Sequence, residues 1–268
     1  MTKIALVSLV NDDAQFASCQ ASLRRLADPF PEWLKVEPNK HGWNAAQGLN
    51  SGLEQLDAEW VVCLHQDILF PDGFWQQLTS ALDACDEQTA LAGLVGCEHS
   101  GRFRGHIYDP NGHCCWPSLP SRVLALDEVL MAVRKSSGLR FDEQVPGFHC
   151  YGADLCFEAD RRGLQAVAID APVVHLSTGK LDEHYDRASQ WLMDKWGARY
   201  RHVLPMPAVL LRDDSRAPLL HRTLHRWRRR GDRLSRNRND CGPAGSAVRA
   251  LGREALPNAP GSTDAPSR

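Results

Sequence analysis

The sequence predicts an α/β fold in which an open mixed sheet, one half of it largely parallel, is flanked by helices. Short apolar segments alternate with helical patterns of apolar residues three and four positions apart over residues 3–98, an alternation typical of βαβ units. The chain has 268 residues, of which 43% are hydrophobic and 24% are charged. This composition supports a substantial core, and no apolar run approaches the roughly 20 residues of a transmembrane helix.

The first half of the chain divides into four strands and three helices. Each strand is a compact apolar run, and each helix carries its apolar residues on one face, so the order is β-α-β-α-β-α-β. Asp72 is predicted to be the N-cap of the third helix. The strands are expected at residues 3–10, 33–38, 59–67 and 91–98, and the helices at 13–26, 44–56 and 72–85.

The second half is less regular. Residues 99–126 are rich in Gly, Pro, His and Asn and predict a loop-rich insertion that covers an edge of the sheet. Order resumes after it and includes a helix from about Gly152, which Gly163 ends. Residues 164–177 predict a strand pair or a bent strand that ends at His175.

Charge is distributed unevenly along the chain. Residues 1–211 carry 18 Lys and Arg against 27 Asp and Glu, whereas residues 212–268 carry 13 against 6. We therefore expect a folded domain at 1–205, a basic amphipathic segment at 206–238 and a disordered tail at 239–268. The basic segment suits an anionic membrane surface. A purely solubilising role is an equal alternative, and nucleic acid is disfavoured because the folded body is acidic.

The nine cysteines are scattered without CxxC pairs. The N-terminal MTKIALVSLVNDD predicts a first strand and not a signal peptide, which favours reduced thiols and a cytoplasmic location, with peripheral attachment to the inner membrane face as an option. The run GHIYDPNGHCCW at 105–116 contains histidines and cysteines. It lacks the paired spacing of structural zinc sites, so zinc is disfavoured.

The stretch CLHQDILFPDGF at 63–74 is unusual because a buried strand runs directly into polar side chains. His65 and Asp67 lie two residues apart and therefore on one side of an extended segment. A carboxylate at the carboxyl end of such a strand suits a hard divalent cation that also holds phosphate oxygens. The alternative is that Asp67 only helps to turn the chain before Pro71.

The surrounding sequence resembles the family 2 glycosyltransferases, which use nucleotide-sugar donors and have the GT-A fold, an open mixed sheet of Rossmann-like type. The matching stretch is LNSGLEQLDAEWVVCLHQDILFPDGF, and its matching positions are Asn50, Gly52, the strand at 60–64, Asp67, Pro71 and Gly73. The chain is most similar to the branch whose strand ends in H-Q-D, with His65 replacing the first acid of D-x-D. The resemblance implies that Asp67 binds Mn²⁺ or Mg²⁺ and that His65 contacts the donor.

A second stretch, LDEVLMAVRKSSGLRFDEQVPGFHCYGADLCFEADRRGL, resembles the acceptor side of the same family. The resemblance assigns the catalytic base to Asp154, a further metal ligand or phosphate contact to His175, and the acceptor pocket to His149 and Tyr151. Plainer readings are a helix-start acid for Asp154 and a hydrogen-bonded core histidine for His175. Donor-binding candidates by the same resemblance are Asn11, Glu37, Asn39 and Asn50, together with His65 and Asp67.

These features lead to two hypotheses for function. The first is an inverting, metal-assisted glycosyltransferase that moves a sugar from a nucleoside-diphosphate sugar to a hydroxyl of a glycan, lipid-linked or protein acceptor, as in polysaccharide or glycoconjugate synthesis. The second is a non-catalytic GT-A-like module that binds a nucleotide or glycan or serves as a scaffold, because His65 departs from the usual motif. A dinucleotide oxidoreductase is disfavoured because the first strand is not followed by GxGxxG. A metallohydrolase is disfavoured because no second metal-binding cluster has clear spacing.

Overall fold

The computed structural model describes residues 2–116, 118–177, 182–200 and 242–259. Within them the chain forms two mixed β-sheets flanked by helices, and no helix there is long and apolar enough to cross a membrane. The strands are β1 Ile4–Leu9, β2 Trp33–Val36, β3 Trp60–Leu64, β4 Ile68–Leu69, β5 Thr89–Gly93, β6 Val95–Cys97, β7 Phe103–Asp109, β8 Gly112–Trp116, β9 Ser121–Val123, β10 Ala125–Leu126, β11 Leu130–Arg134, β12 Gln165–Ala168 and β13 Val174–His175. The helices are α1 Asp13–Arg24, α2 Pro38–His41, α3 Ala45–Gln55, α4 Phe74–Asp83, α5 Tyr151–Arg161, α6 Glu183–Trp196 and α7 Gly242–Ala255.

The larger sheet has the strand order β2-β1-β3-β11-β5-β12-β9. β1 is parallel to both β2 and β3, whereas β11 is antiparallel to β3 and β5. Successive residues of β3 alternate between two cores: Trp60 and Val62 pack with α1 and α4, and Val61 and Cys63 pack with α3 and α5. The sheet is therefore covered by helices on both faces, which confirms the expected open α/β architecture.

The smaller sheet has the order β10-β6-β7-β13-β4, and β8 pairs with β7. The expected loop-rich insertion at 99–126 is therefore wrong, because most of this region is strand. β7 and β8 form a hairpin around Asp109–Gly112, in which Asn111 N donates to Asp109 Oδ1 and Gly112 has a φ of 102°. A turn sequence of Asp, Pro, Asn and Gly between two strand-forming segments is a hairpin signal. The signal is weak here because the flanking segments mix Arg and His with their apolar residues.

Two further boundaries differ from the sequence prediction. Asp72 does not cap α4; the N-cap is Gly73, whose φ of 82° is left-handed and turns the chain into the helix. The segment 91–98 was expected to be one strand, but it is part of two, because β5 ends at Gly93 and β6 begins at Val95 in the other sheet.

Helix α7 packs against the smaller sheet, although residues 239–268 were expected to be disordered. Val248 is fully buried and packs with Tyr108 and Val174. A Cβ atom on Gly252 would lie 2.4 Å from the Tyr108 ring, so glycine allows a close approach. The expectation of disorder is therefore wrong for 242–259. The high content of Gly, Pro and Ala predicted disorder, but the helix has an apolar face that packs against the sheet. The basic segment expected at 206–238 lies outside the described residues.

The cysteines are mostly buried free thiols, as expected of core residues. Burial raises the pKa of the Cys19 thiol to about 12, which makes it unreactive at neutral pH. Cys115 differs because it is disulfide-bonded. The expectation that all the thiols are reduced is therefore wrong at this position.

Gly52, one of the motif residues, brings α3 close to β1. A Cβ atom at this position would lie 2.7 Å from Cγ2 of Val7, which is fully buried and β-branched. A Cβ atom on Gly48 of the same helix would lie 2.6 Å from Cδ2 of Leu9, which is the far end of a partly exposed side chain, and at ordinary contact distances of 3.5 and 3.6 Å from Val36 and Pro38.

We predict that Gly52→Ala lowers the free energy of unfolding by about 1–3 kcal/mol, because a rigid buried side chain has to move. Gly48→Ala is the matched control: it gives the same gain in helix propensity, about 1 kcal/mol, and should be neutral or stabilising. Urea unfolding followed by circular dichroism measures both values. Equal effects of the two substitutions would contradict the packing role of Gly52.

Candidate functional site

The H-Q-D segment connects the two sheets. β3 ends at Leu64 in the larger sheet, and β4 begins at Ile68 in the smaller one. The backbone N–H of His65 donates to the carbonyl of Val129, at 3.0 Å, just before β11. Residues 65–67 therefore lie where the carboxyl end of a central strand leaves the sheet, the position at which open α/β sheets bind ligands.

The short pairing of β4 with β13 places a second histidine beside this segment. His175 is opposite Ile68 in the antiparallel register, and Leu176 N donates to the carbonyl of Asp67 at 2.9 Å. His175 Nε2 lies 3.4 Å from Asp67 Oδ1 and 3.4 Å from His65 Nδ1, and His65 Nδ1 lies 3.8 Å from Asp67 Oδ1. Three residues from two strand ends thus form one cluster.

The cluster fits a single divalent cation. The potential ligand atoms of His65, Asp67 and His175 all lie within 4.8 Å of one another, and ligands about 2.1 Å from a shared ion are separated by roughly 3–4 Å. Carboxylate oxygen is a preferred ligand of Mg²⁺ and Mn²⁺, and imidazole nitrogen suits transition metals. This mixed donor set suits Mn²⁺ better than Mg²⁺.

The electrostatics favour the metal-binding protonation state of two members of the cluster, His65 and Asp67. Burial and the charge of His175 lower the pKa of His65 to about 4, so its imidazole is neutral at neutral pH. Burial alone would raise the pKa of the Asp67 carboxyl, but the hydrogen bond and charge of His175 outweigh it and hold that pKa well below its usual range. A neutral imidazole and an ionised carboxylate are both ready to bind a cation.

Gln66, which the sequence analysis passed over, fixes the geometry of this edge. Its Oε1 accepts hydrogen bonds from Asn11 N at 2.9 Å and from Asp12 N at 3.0 Å, and its Nε2 donates to the side-chain oxygen of Asn11. The middle residue of the motif therefore ties the end of β3 to the end of β1. Its position between two candidate ligands was the available sequence signal.

Two adjoining cavities open at this edge. One is lined by His65, Asp67 and Tyr151 above Cys63 and Leu64. Phe148 borders both cavities and is 44% exposed, unusual for a large apolar side chain. The second cavity is lined by Asn11, Asn39, Pro38, Val10, Leu9, Gln66 and Phe148. Five of the candidate residues, Asn11, Asn39, His65, Asp67 and Tyr151, are thus brought together.

The other donor and acceptor candidates have different contacts. Asn50 is buried on α3, where its side chain donates a hydrogen bond to the Phe141 carbonyl and accepts one from the Phe141 N–H. It therefore attaches the segment around Phe141, between β11 and α5, to α3. Glu37 pairs with Lys35 and with Lys40 at the protein surface. His149 is half-buried, with its ring centroid 5.5 Å from that of Tyr185 on α6.

Asp154 lies one turn into α5 and is 2% exposed. Its Oδ1 is 2.7 Å from Lys195 Nζ and accepts a hydrogen bond from Trp196 Nε1 at 2.6 Å. Lys195 also pairs with Asp142 at 2.7 Å. Burial raises the pKa of the Asp154 carboxyl, and the contacts with α6 act in the opposite direction. The carboxylate is thus engaged in the α5–α6 interface and does not line either cavity.

Glu128 is a second buried acid near this edge, and the sequence analysis did not select it. It precedes β11, is 9% exposed, and its Oε1 accepts a hydrogen bond from Gly152 N at 2.9 Å. Burial raises the pKa of its carboxyl to about 8. The available signal was an acidic pair, Asp127 and Glu128, directly before an apolar strand.

The fold is similar to that of solved glycosyltransferases. The mannosyltransferase PcManGT from Pyrobaculum calidifontis, solved with GDP-Man and Mn²⁺, is 13% identical with a TM-score of 0.51, over 97% of this chain and 74% of that one. GalNAc-T7, solved with UDP, GalNAc and Mn²⁺, is 8% identical with a TM-score of 0.53, over 75% of this chain. The match spans 49% of the GalNAc-T7 chain. At these identities the likeness shows a shared GT-A fold.

Sequence comparison gives a more specific result. A protein of Fuscovulum blasticum described as "ATP synthase subunits region ORF 6" is 28% identical over 206 residues, which are 72% of this chain and 82% of the relative. The profile of a family described as "Glycosyltransferase like family" matches residues 5–196, a range that spans strands of both sheets and the cluster of His65, Asp67 and His175. The chain belongs to this glycosyltransferase-like family.

Proposed function

We propose that the protein transfers a sugar from a nucleoside-diphosphate sugar to a hydroxyl acceptor, assisted by Mn²⁺ or Mg²⁺. The observation that carries the proposal is the cluster of His65, Asp67 and His175 at the edge where two cavities meet. Membership of a glycosyltransferase-like family supports the reaction class. The Mn²⁺ and nucleotide complexes of the two structural neighbours support the cofactor and the donor class.

The cavities suggest how the donor is placed. The nucleoside occupies the cavity lined by Asn11 and Asn39, and the sugar occupies the one lined by His65 and Tyr151. A divalent cation held by His65, Asp67 and His175 would supply positive charge against the charge that develops on the leaving diphosphate. Gln66 contributes indirectly, because its hydrogen bonds to Asn11 fix the position of the second cavity relative to the first.

The proposed transfer inverts the anomeric carbon in one displacement. The acceptor hydroxyl attacks from the face opposite the diphosphate, and a carboxylate must receive its proton. The resemblance to the family 2 glycosyltransferases implies this role for Asp154. In the structure, contacts with Lys195 and Trp196 would have to open before an acceptor reached this carboxylate.

The acceptor is proposed to be a glycan, a lipid-linked sugar or a protein, and the site of action to be the cytoplasmic face of a membrane. The sequence of the basic segment at 206–238 supports this, since a cluster of Lys and Arg is attracted to anionic lipid by about 1 kcal/mol per residue near the surface. We do not propose nucleic acid as a partner, because residues 1–211 are acidic.

We predict that Asp67→Asn weakens Mn²⁺-dependent binding of UDP or GDP by more than about 100-fold, because it removes the anionic ligand of the cluster. Isothermal titration with and without Mn²⁺ measures the effect. Asp72→Asn is the matched control, since Asp72 is five residues away with a side chain that is 85% exposed. Mn²⁺-dependent binding that survives Asp67→Asn would contradict the metal assignment.

Turnover separates the enzyme from a non-catalytic binding module. We expect the wild-type protein to release nucleoside diphosphate from at least one UDP-, GDP- or dTDP-sugar, and to lose this activity when EDTA removes the cation. A protein that binds nucleotide and Mn²⁺ tightly yet turns over none of these donors with any hydroxyl acceptor supplied would instead be a binding module.

Membrane attachment through the basic segment is tested with vesicles. We expect the full chain to co-sediment with vesicles rich in phosphatidylserine and to detach as salt is raised from about 0.05 to 0.5 M, because the attraction is screened. Replacing Arg228, Arg229 and Arg230 by Gln should weaken sedimentation. Equal binding to neutral phosphatidylcholine vesicles would argue against electrostatic attachment.

A further inference from the structure

Phe148 differs from the other phenylalanines of the described chain in its exposure to solvent. It exposes 44% of its surface, whereas each of the others in the described residues is buried or partly buried. Its side chain borders both cavities at the edge of the larger sheet. A large apolar side chain exposed in the wall of a cavity is typical of a ligand-binding surface.

The backbone that precedes Phe148 is held in place by the start of α3. Asn44, the N-cap of that helix, donates a side-chain hydrogen bond to the carbonyl of Val145 at 3.0 Å. Ala45 N donates to the carbonyl of Gly147, also at 3.0 Å. The residue directly before Phe148 is thus fixed to a helix that packs against the sheet.

The backbone that follows Phe148 is fixed by a strained residue. Cys150, the buried N-cap of α5, has a left-handed φ of 65°, and Gly147 has a φ of 75°. A non-glycine residue keeps such a conformation only where its surroundings enforce it, and such residues cluster at binding sites. Between these two residues, His149 packs against Tyr185 of α6, whereas Phe148 borders the cavities. The phenyl ring is therefore positioned before any ligand arrives.

The cavity proposed to hold the nucleoside has a neutral wall. All the described residues that line it have uncharged side chains, and the apolar ones besides Phe148 are Leu9, Val10 and Pro38. Asn39, which also lines it, is exposed, so its amide is accessible to a ligand. A nucleobase suits this wall, because it combines two flat apolar faces with an edge of neutral N–H and C=O groups. The charged diphosphate suits the other cavity, which Asp67 lines.

We propose that the ring of Phe148 stacks on the nucleobase of the donor. This inference rests on the proposed glycosyl transfer and adds a contact for the donor that is separate from the metal cluster. Every base has a flat π face, so stacking holds the nucleoside without selecting one base. The base takes no part in the reaction, so the contact is the same in the ground state and in the transition state. It therefore lowers KM for the donor and leaves kcat unchanged.

The test compares two substitutions of Phe148. Phe148→Leu keeps an apolar side chain but removes the ring, and we expect it to weaken Mn²⁺-dependent binding of UDP or GDP, whichever the wild type binds more tightly, at least about 10-fold. Phe148→Tyr keeps the ring and should restore binding to within about 2-fold of the wild type. Phe30→Leu is the matched control, because Phe30 is partly buried and lines neither cavity. Isothermal titration measures the affinities, and thermal melting checks that each variant is folded.

Pyrophosphate separates stacking from the contact with the metal, because it has no base. Mn²⁺-dependent binding of pyrophosphate should agree within about 2-fold between the wild type and Phe148→Leu. In turnover of a UDP-, GDP- or dTDP-sugar, KM for the donor should rise by the same factor as the affinity falls, with kcat within about 2-fold. A purely structural role of Phe148 would instead lower kcat or the melting temperature.

Wild-type affinity of Phe148→Leu for the nucleoside diphosphate overturns the inference. So does an equal loss of pyrophosphate and nucleotide binding, which would indicate damage to the metal cluster. A loss of affinity for the sugar nucleotide but not for the nucleoside diphosphate also overturns it, because the ring would then contact the sugar. Absence of Mn²⁺-dependent nucleotide binding in the wild type overturns the proposed function itself, which distinguishes the two failures.

Discussion

The antiparallel pairing of β4 with β13 is the constraint on which the site depends. The chain passes from the larger sheet to the smaller one over the three residues 65–67. The register of the two short strands then brings His175 Nε2 to 3.4 Å from the carboxylate of Asp67. Residues 108 positions apart in sequence therefore meet in one cluster whose geometry fits a divalent cation. Burial and the charge of His175 lower the pKa of His65, so the same pairing also favours the neutral imidazole that can bind a cation at that position.

Several residues of the stretch that resembles the family 2 glycosyltransferases fix the spacing between structural elements. Asn50 donates a hydrogen bond to the Phe141 carbonyl, and Gly52 allows α3 to pack closely against Val7. Gln66 connects the ends of β1 and β3 through its hydrogen bond from Asn11 N. Each fixes the distance between elements that carry cavity residues. Other side chains that line the cavities, such as His65 and Asp67, lie in the segments between these residues. This division explains how His65 can replace an acid: the frame is intact, and imidazole and carboxylate can both bind Mn²⁺.

The sequence predicted the open sheet and the polar strand end at Asp67 because both leave local signals, an apolar run in β3 and the polar residues that follow it. It suggested His175 only through a family resemblance, since the β4–β13 pairing is non-local. The β7–β8 hairpin and the packing of α7 were not predicted, because both segments contain many polar or small residues. Their apolar residues are recognisable only from what they pack against, as Val248 packs against Tyr108. The sequence carries no local signal for the contact of Glu128, because its hydrogen-bond partner, Gly152, is 24 residues away.

The central claim is that one divalent cation is held jointly by both sheets. Its most direct test is an anomalous difference map from crystals soaked with Mn²⁺ and a nucleoside diphosphate, recorded near the manganese absorption edge. The account predicts a single strong peak in contact with His65, Asp67 and His175 and bridged to the diphosphate. A nucleotide bound in the cavity with no peak at this cluster, or a peak held by other residues, would contradict it.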